Sequence, residues 1–261
     1  MYLELLIFPT ALNGQRVYNE TARSIVAKAC ESFAVDPRIF ARGPEGNSLN
    51  AVYPTGDGTA IAQPPLIAFG GGKGFIRLTG LGAEGVQVLR DNMQMICAAL
   101  GAHYEGGYRF RFNEGHCTLA QLHGHVHSYF LPKMCISKKP RRLLQQAGIQ
   151  QHGERLTLEH VRPLIVEQIK NGLVAQSRFM DESYRSIGQP GMATMEGSLG
   201  TDEMLNIEVH EAGPNFQSIK PGEKAQALFA NEVVITMSVD LGGPWYFGGL
   251  RSRGTGQIFR R

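Results

Sequence analysis

The chain has 261 residues, with 26 Lys and Arg against 23 Asp and Glu and a formal net charge of +3, so charge alone points to no partner. Its 32 glycines are about 12% of the chain where ~7% is usual. They follow no Gly-X-Y period and charged residues reach 19%, which excludes collagen and low-complexity disorder.

Tyr2–Pro9 is a short apolar run predicted as a buried strand rather than a signal peptide. After a turn at Asn13–Gln15, apolar residues at Val17, Ala22, Ile25, Val26 and Cys30 predict a helix within Arg16–Phe33, ended before Pro37. Arg38–Arg42 is predicted to open a second strand and Gly43–Gly58 to be loop. Pro65–Phe69 and Gly74–Leu78 read as two strands joined by Gly70-Gly71-Gly72-Lys73. Helical periodicity returns over Ala83–Leu100, with Gly101 as its cap. Tyr108–Phe112 and Leu119–Phe130 alternate with period two and read as strands. Strand, helix, strand pair, helix, strand is the β-α-β-β-α-β order of a ferredoxin-like unit.

Met134–Ile136 opens a second stretch, followed by the basic run Lys138-Lys139-Pro140-Arg141-Arg142. A helix is predicted over Leu156–Phe179, with Pro163 near its start, then a Gly- and Ser-rich loop over Ser186–Thr201. Leu205–His210, Ala225–Phe229 and Val233–Val239 read as strands, with a last one near Gln257–Arg260. The fold class is therefore α+β: two tandem ferredoxin-like (RRM-like) units, the second divergent, with a C-terminal glycine-rich loop. Residues 1–132 form the N-terminal domain and 133–261 the C-terminal domain. Cys30, Cys97, Cys117 and Cys135 contain no CxxC pair and read as reduced thiols of a cytoplasmic protein. No apolar run of 18 residues exists, so no membrane partner is expected.

Four local patterns bear on chemistry. Gly80-Leu81-Gly82-Ala83-Glu84-Gly85 is a literal GxGxxG between a strand and a helix, with Glu105 downstream, the pattern of a dinucleotide site. Arg77 inside the preceding strand and the polar Ala102-His103-Tyr104 after the helix weigh against it. His123, His125 and His127 share one strand face; metal binding, an RNA role and a plain polar face are the alternatives, and no carboxylate accompanies them as a further ligand. Tyr108-Arg109-Phe110-Arg111-Phe112 puts aromatics on one face and arginines on the other, either as core against solvent or with the arginines on RNA. The C-terminal segment Gly248-Gly249-Leu250-Arg251-Ser252-Arg253-Gly254-Thr255-Gly256-Gln257-Ile258 is the strongest signal. Its glycines expose backbone N–H groups, Arg251 and Arg253 offer charge-assisted contacts to phosphate, and no acid occurs from Leu241 onward.

This segment resembles the C-terminal glycine-rich loop of the CRISPR-associated RAMP proteins. Two tandem ferredoxin-like units in a chain of this length resemble the CRISPR RNA-processing endoribonucleases of that superfamily, and the compact, Arg-rich form is most similar to the processing enzyme of type IV systems. The resemblance implies a metal-independent endoribonuclease with no cofactor. It would cut CRISPR repeat RNA at the base of its hairpin by 2′-hydroxyl attack, leaving a 2′,3′-cyclic phosphate and a 5′-hydroxyl. It would then retain the mature crRNA and join other CRISPR effector subunits. The alternatives are a non-catalytic RAMP subunit that holds guide RNA and a dinucleotide enzyme using Gly80–Gly85.

Many such enzymes use a histidine on or just after the first helix as general base, but no histidine lies between Asn13 and Pro54. The catalytic candidates become Arg23 and Arg38 as an electrostatic centre, with Tyr18 beside them. Arg16 and Arg42 are candidates for flanking phosphates, and Lys138, Lys139, Arg141 and Arg142 for the RNA backbone. Gly249, Arg251, Ser252, Arg253, Gly254 and Gly256 are the RNA-binding candidates of the terminal loop. No metal ligand is assigned.

Overall fold

The alternation seen in the first strand organises the N-terminal half. In the computed structural model, which describes residues 1–43, 51–54, 60–122, 124–146, 156–191, 205–218 and 226–261, β1 (Tyr2–Pro9) buries Leu3, Leu5 and Ile7 on one face. Helix α1 (Asn19–Ala29) turns Ala22, Val26 and Ala29 onto that face. The hairpin β2 (Val52–Pro54) and β3 (Ala60–Ala62) precedes β4 (Ile67–Gly72) and β5 (Phe75–Leu81). Helix α2 (Gly82–His103) packs Val86, Leu89, Ile96 and Leu100 into the same core, and β6 (Tyr108–Gly115) completes the unit. The sheet order is β4-β5-β1-β6, antiparallel throughout. Each side chain fully buried here contributes ~1.5–3 kcal/mol, so period-two patterning is enough to fix which face carries the helices.

The second sheet repeats this order. Its strands are β8 (His127–Ser137), β9 (Glu208–Ser218), β10 (Gln226–Met237) and β12 (Phe259–Arg260), arranged β12-β8-β10-β9. The first strand again lies between the third and the fourth. Between β8 and β9 come the short α3 (Pro140–Gln146) and the long α4 (Leu158–Ser186), whose Val161, Ile165, Ile169, Leu173 and Met180 fill the core. Between β10 and β12, where the first unit has α2, the chain forms β11 (Val239–Gly242) and the glycine-rich segment with a 3-10 turn at Arg251–Arg253. β11 pairs with β7 (Thr118–Gln121). The chain is thus α+β with two four-stranded antiparallel sheets, and the divergence of the second unit is the replacement of one helix by a loop.

Several sequence expectations are corrected. Arg38–Arg42 is not a strand: Pro37–Phe40 is a 3-10 turn because Asp36 caps it, accepting from the Arg38 amide, and Ala41 ends it in the left-handed region. Gly70–Gly72 are not a loop but the end of β4, in register with Phe75–Arg77, which lets Val17 cross the strand and donate its N–H to Gly72. Gly101 lies inside α2, which runs on to His103. Leu119–Phe130 is two strands in different sheets, parted by a segment with Gly124 at φ +75°. The two strands expected at Ala225–Phe229 and Val233–Val239 are one strand, β10, with irregular register around Asn231–Val234 and Glu232 at φ +52°. The GxGxxG segment does join a strand to a helix, but β5 is antiparallel to both neighbours, which excludes the parallel βαβ unit of a dinucleotide site. His123 and most of Ser186–Thr201 lie outside the described residues. Among the described residues no helix is long and apolar enough to cross a membrane.

Candidate nucleic-acid interface

The start of α1 is pinned on two sides. Asn19, its first residue, accepts from the Gly71 amide at 2.8 Å and donates to the Gly254 carbonyl at 3.1 Å. One side chain therefore ties the end of β4 and the C-terminal loop to the helix. One turn later, Arg23 donates to the Ser252 hydroxyl at 3.2 Å and to the Phe40 carbonyl. Helix, 3-10 turn and terminal loop meet at that guanidinium.

The loop itself is held by its own backbone and by β8. Gly249 donates to Cys135 and Gly256 to Lys133, each at 2.7 Å, and the Thr255 hydroxyl closes onto Gly249. Gly254 and Gly256 sit at φ +73° and +77°, where side chains are strained. A Cβ there would come within 2.0 Å of the Phe69 carbonyl oxygen and 1.8 Å of the Phe247 carbonyl oxygen. These glycines admit the protein's own backbone. Arg251 turns inward, 8% exposed, and donates to the carbonyls of Ala62 and Gln63. Burial pushes its guanidinium down to about 10, so it stays charged at neutral pH.

Around Arg23 the remaining charges include two further guanidiniums. Burial, then Arg253, then Arg42 lower the proton affinity of Arg23, so both neighbouring guanidiniums repel that of Arg23. A phosphate placed among them would relieve that repulsion and accept charge-assisted hydrogen bonds. A cleft of about 310 Å³ opens beside them, lined by Tyr18, Glu20, Thr21, Lys133, Arg253 and Thr255 among others. Tyr18 is exposed at its rim, with the Arg16 guanidinium 5.5 Å from its ring centre. Lys133 bonds Glu20 and Gln217 and lies 4.6 Å from the Phe229 ring centre.

The structure bonds Arg23 to Ser252 and sets it within the fields of Arg253 and Arg42; Tyr18, beside Arg16, lines the same cleft as Arg253. It does not bring Arg38 to them. That guanidinium is held by Asp36 at 2.7 Å and by Glu84 at 3.0 Å. Asp36 first and then Glu84 raise its proton affinity, and the Asp36 carboxyl is held below its ordinary value. An arginine matched by two carboxylates offers little field to a third anion. Lys138, Lys139 and Arg141 are exposed at the end of β8 and the start of α3, and the side chain of Arg142 lies outside the described residues. His127 meets Asp240 and Arg260, and His125 lies before β8 rather than in a strand. Sequence reasoning missed Asn19 and Lys133. An asparagine opening a helix signals a local cap, and nothing local says that it bridges two distant backbones.

The whole chain, residues 1–261, matches the family model described as type IV CRISPR-associated endonuclease Csf5. Among solved structures it is similar to one described as a Csf5, a CRISPR-Cas type IV Cas6 crRNA endonuclease, with TM-score 0.68, 16% identity and full coverage of both chains. It is also similar to a crystal structure of Cas6b, with TM-score 0.54, 11% identity and full coverage of both. No curated protein matches it.

Proposed function

The chain belongs to the type IV CRISPR-associated endonuclease family Csf5, and on that premise we propose that it cuts CRISPR repeat RNA at the base of a hairpin and keeps the product. The observation that carries the reading is the bond of Arg23 to Ser252 in the terminal loop, with the charges of Arg253 and Arg42 acting on the same guanidinium. In-line attack of a ribose 2′-hydroxyl on the adjacent phosphorus builds negative charge on a pentavalent phosphorane. Donors already fixed in place stabilise that charge without reorganising. Arg23 supplies such donors, with Ser252 holding its orientation and Arg253 adding charge. The bond from phosphorus to the 5′-oxygen breaks, leaving a 2′,3′-cyclic phosphate and a 5′-hydroxyl.

Arginine stays protonated and is a poor general base. Doing without one costs a factor of roughly 10²–10⁴, which an enzyme that retains its product after one turnover can tolerate. Tyr18, at the cleft's rim, is suited to orient the nucleotide at the cut. Arg16 and Arg42 take flanking phosphates, and Lys138, Lys139, Arg141 and Arg142 follow the RNA backbone. Gly249, Gly254 and Gly256 shape the loop that presents Arg253. Arg251 serves as its tether, and Arg38 as a brace between its turn and α2. In this division residues 1–132 supply the catalytic arginine and 133–261 the RNA-holding loop, with the retained crRNA offered to effector subunits.

The test is incubation of the purified protein with its cognate repeat RNA in EDTA. One fixed cut ending in a 2′,3′-cyclic phosphate is expected. Tight binding with no cut would instead favour a non-catalytic guide-RNA subunit.

A further inference from the structure

Strand β6 does not look like the border of a sheet that faces only water. It is the outer strand of its sheet and pairs with β1 in unbroken register from Tyr108 to Gly115. Natural edge strands are blunted by proline, bulges, short length or charge; β6 has eight residues with no proline and no bulge, and its protection is the charge of Arg109, Arg111 and Glu114. Phe110 and Phe112 are 45% and 52% exposed, and Tyr108 lies exposed beside them. They stand opposite Ile7, Leu5 and Pro9, on the α2 side of the sheet. Arg109 and Arg111 stand opposite Phe8 and Leu6 on the other side, and no carboxylate pairs with either among the described residues. A cleft of about 540 Å³ runs along this edge, lined by Phe8, Tyr108, Arg109, Phe110 and Arg111.

We propose that the free edge of β6 docks an extended segment of a partner protein, in which acidic residues alternate with apolar ones, as a fifth strand of the sheet. The two faces decide the class of occupant. An RNA strand lying on one face meets the aromatics or the guanidiniums, not both. An added β-strand meets both at once, because its side chains alternate across the sheet. Directly opposite cross-strand pairs lie close enough to interact, so acids fall against Arg109 and Arg111 and apolar residues against Phe110 and Phe112. Aromatic and arginine side chains are also the types enriched at protein interfaces. Pairing of β6 with its own copy about Arg111 sets guanidinium against guanidinium, which disfavours self-association. The surface is separate from the Arg23–Ser252 contact, and its occupancy does not depend on the cleavage reading.

The test is selection of random dodecapeptides displayed on phage against the full chain and against an R109E/R111E variant. Peptides with alternating acidic and apolar residues are expected from the first. Synthetic versions should bind the variant at least tenfold more weakly and slow amide exchange in Tyr108–Gly115. The variant should select basic–apolar alternation, while its rate of repeat-RNA cleavage stays unchanged. Enrichment without alternation, no enrichment, or affinity indifferent to the charge reversal overturns the proposal. Loss of repeat-RNA affinity in the variant reassigns the strand to RNA, and loss of a dimer in light scattering reassigns it to self-association.

Discussion

The guanidinium of Arg23, on the first helix, donates to the hydroxyl of Ser252 at 3.2 Å across 229 residues of chain. The bond joins the catalytic candidate of one unit to the loop of the other. Loop placement and catalysis should therefore fail together, and charges outside this contact should matter less.

Arg38 is the first such case. Its pairs with Asp36 and Glu84 are largely solvent-exposed and worth ~0–1 kcal/mol each. Arg38→Ala is expected to lower Tm by a few degrees at most and to keep cleavage within about threefold of the parent. Parallel thermal melts and single-turnover assays check this, and loss of cutting at unchanged Tm would return Arg38 to the catalytic centre.

Asn19 separates position from fold. Asn19→Asp keeps the acceptor for the Gly71 amide and loses the donor to the Gly254 carbonyl. RNA affinity is expected to change little while the single-turnover rate drops about tenfold. Equal losses in affinity and rate would point to general damage.

Arg251 is a tether in this account. Arg251→Ala leaves the carbonyls of Ala62 and Gln63 without their donor, at ~1–3 kcal/mol for an unsatisfied buried group. A Tm lower by several degrees is expected, with weaker RNA binding only as the loop loosens. An unchanged melt would place Arg251 on RNA rather than in the core.

Arg42 is exposed and assigned to a phosphate. Arg42→Ala should weaken RNA binding about equally for all sequences and reduce the slope of log K against log salt by roughly 0.7–1. A titration between low and high salt reads this slope directly.

The thiols report on the core. Burial pushes Cys30 and Cys135 up to about 11 and Cys97 and Cys117 up to about 12, from 9.0. The folded state therefore keeps thiol protons that the unfolded chain releases, and stability should fall as pH rises from about 9 towards 11. Urea melts at pH 8 and pH 10 measure the fall, and Cys135→Ala should lessen it.

Legibility followed range. The first sheet was readable because Leu3, Leu5 and Ile7 alternate and α1 and α2 carry matching apolar faces, all local signals. Sequence resemblance in the terminal loop reached the family. The inward turn of Arg251 was not readable, because an arginine among glycines in an acid-free tail gives no local sign of burial. The meeting of Asn19 with Gly254 was equally hidden, since periodicity names a face but not the distant segment that will cover it. The carboxylate partners of Arg38 were hidden for a related reason: Glu84 joins Asp36 around it only once α2 has packed.

The most direct test of the arginine cluster is the single-turnover rate of Arg23→Ala on cognate repeat RNA in EDTA, measured beside its RNA affinity. Removal of one fixed donor to a charged transition state typically costs about 10²–10³ in rate, and a loss of that size with affinity within a fewfold is expected. Cleavage by Arg23→Ala at the parent rate would contradict the account.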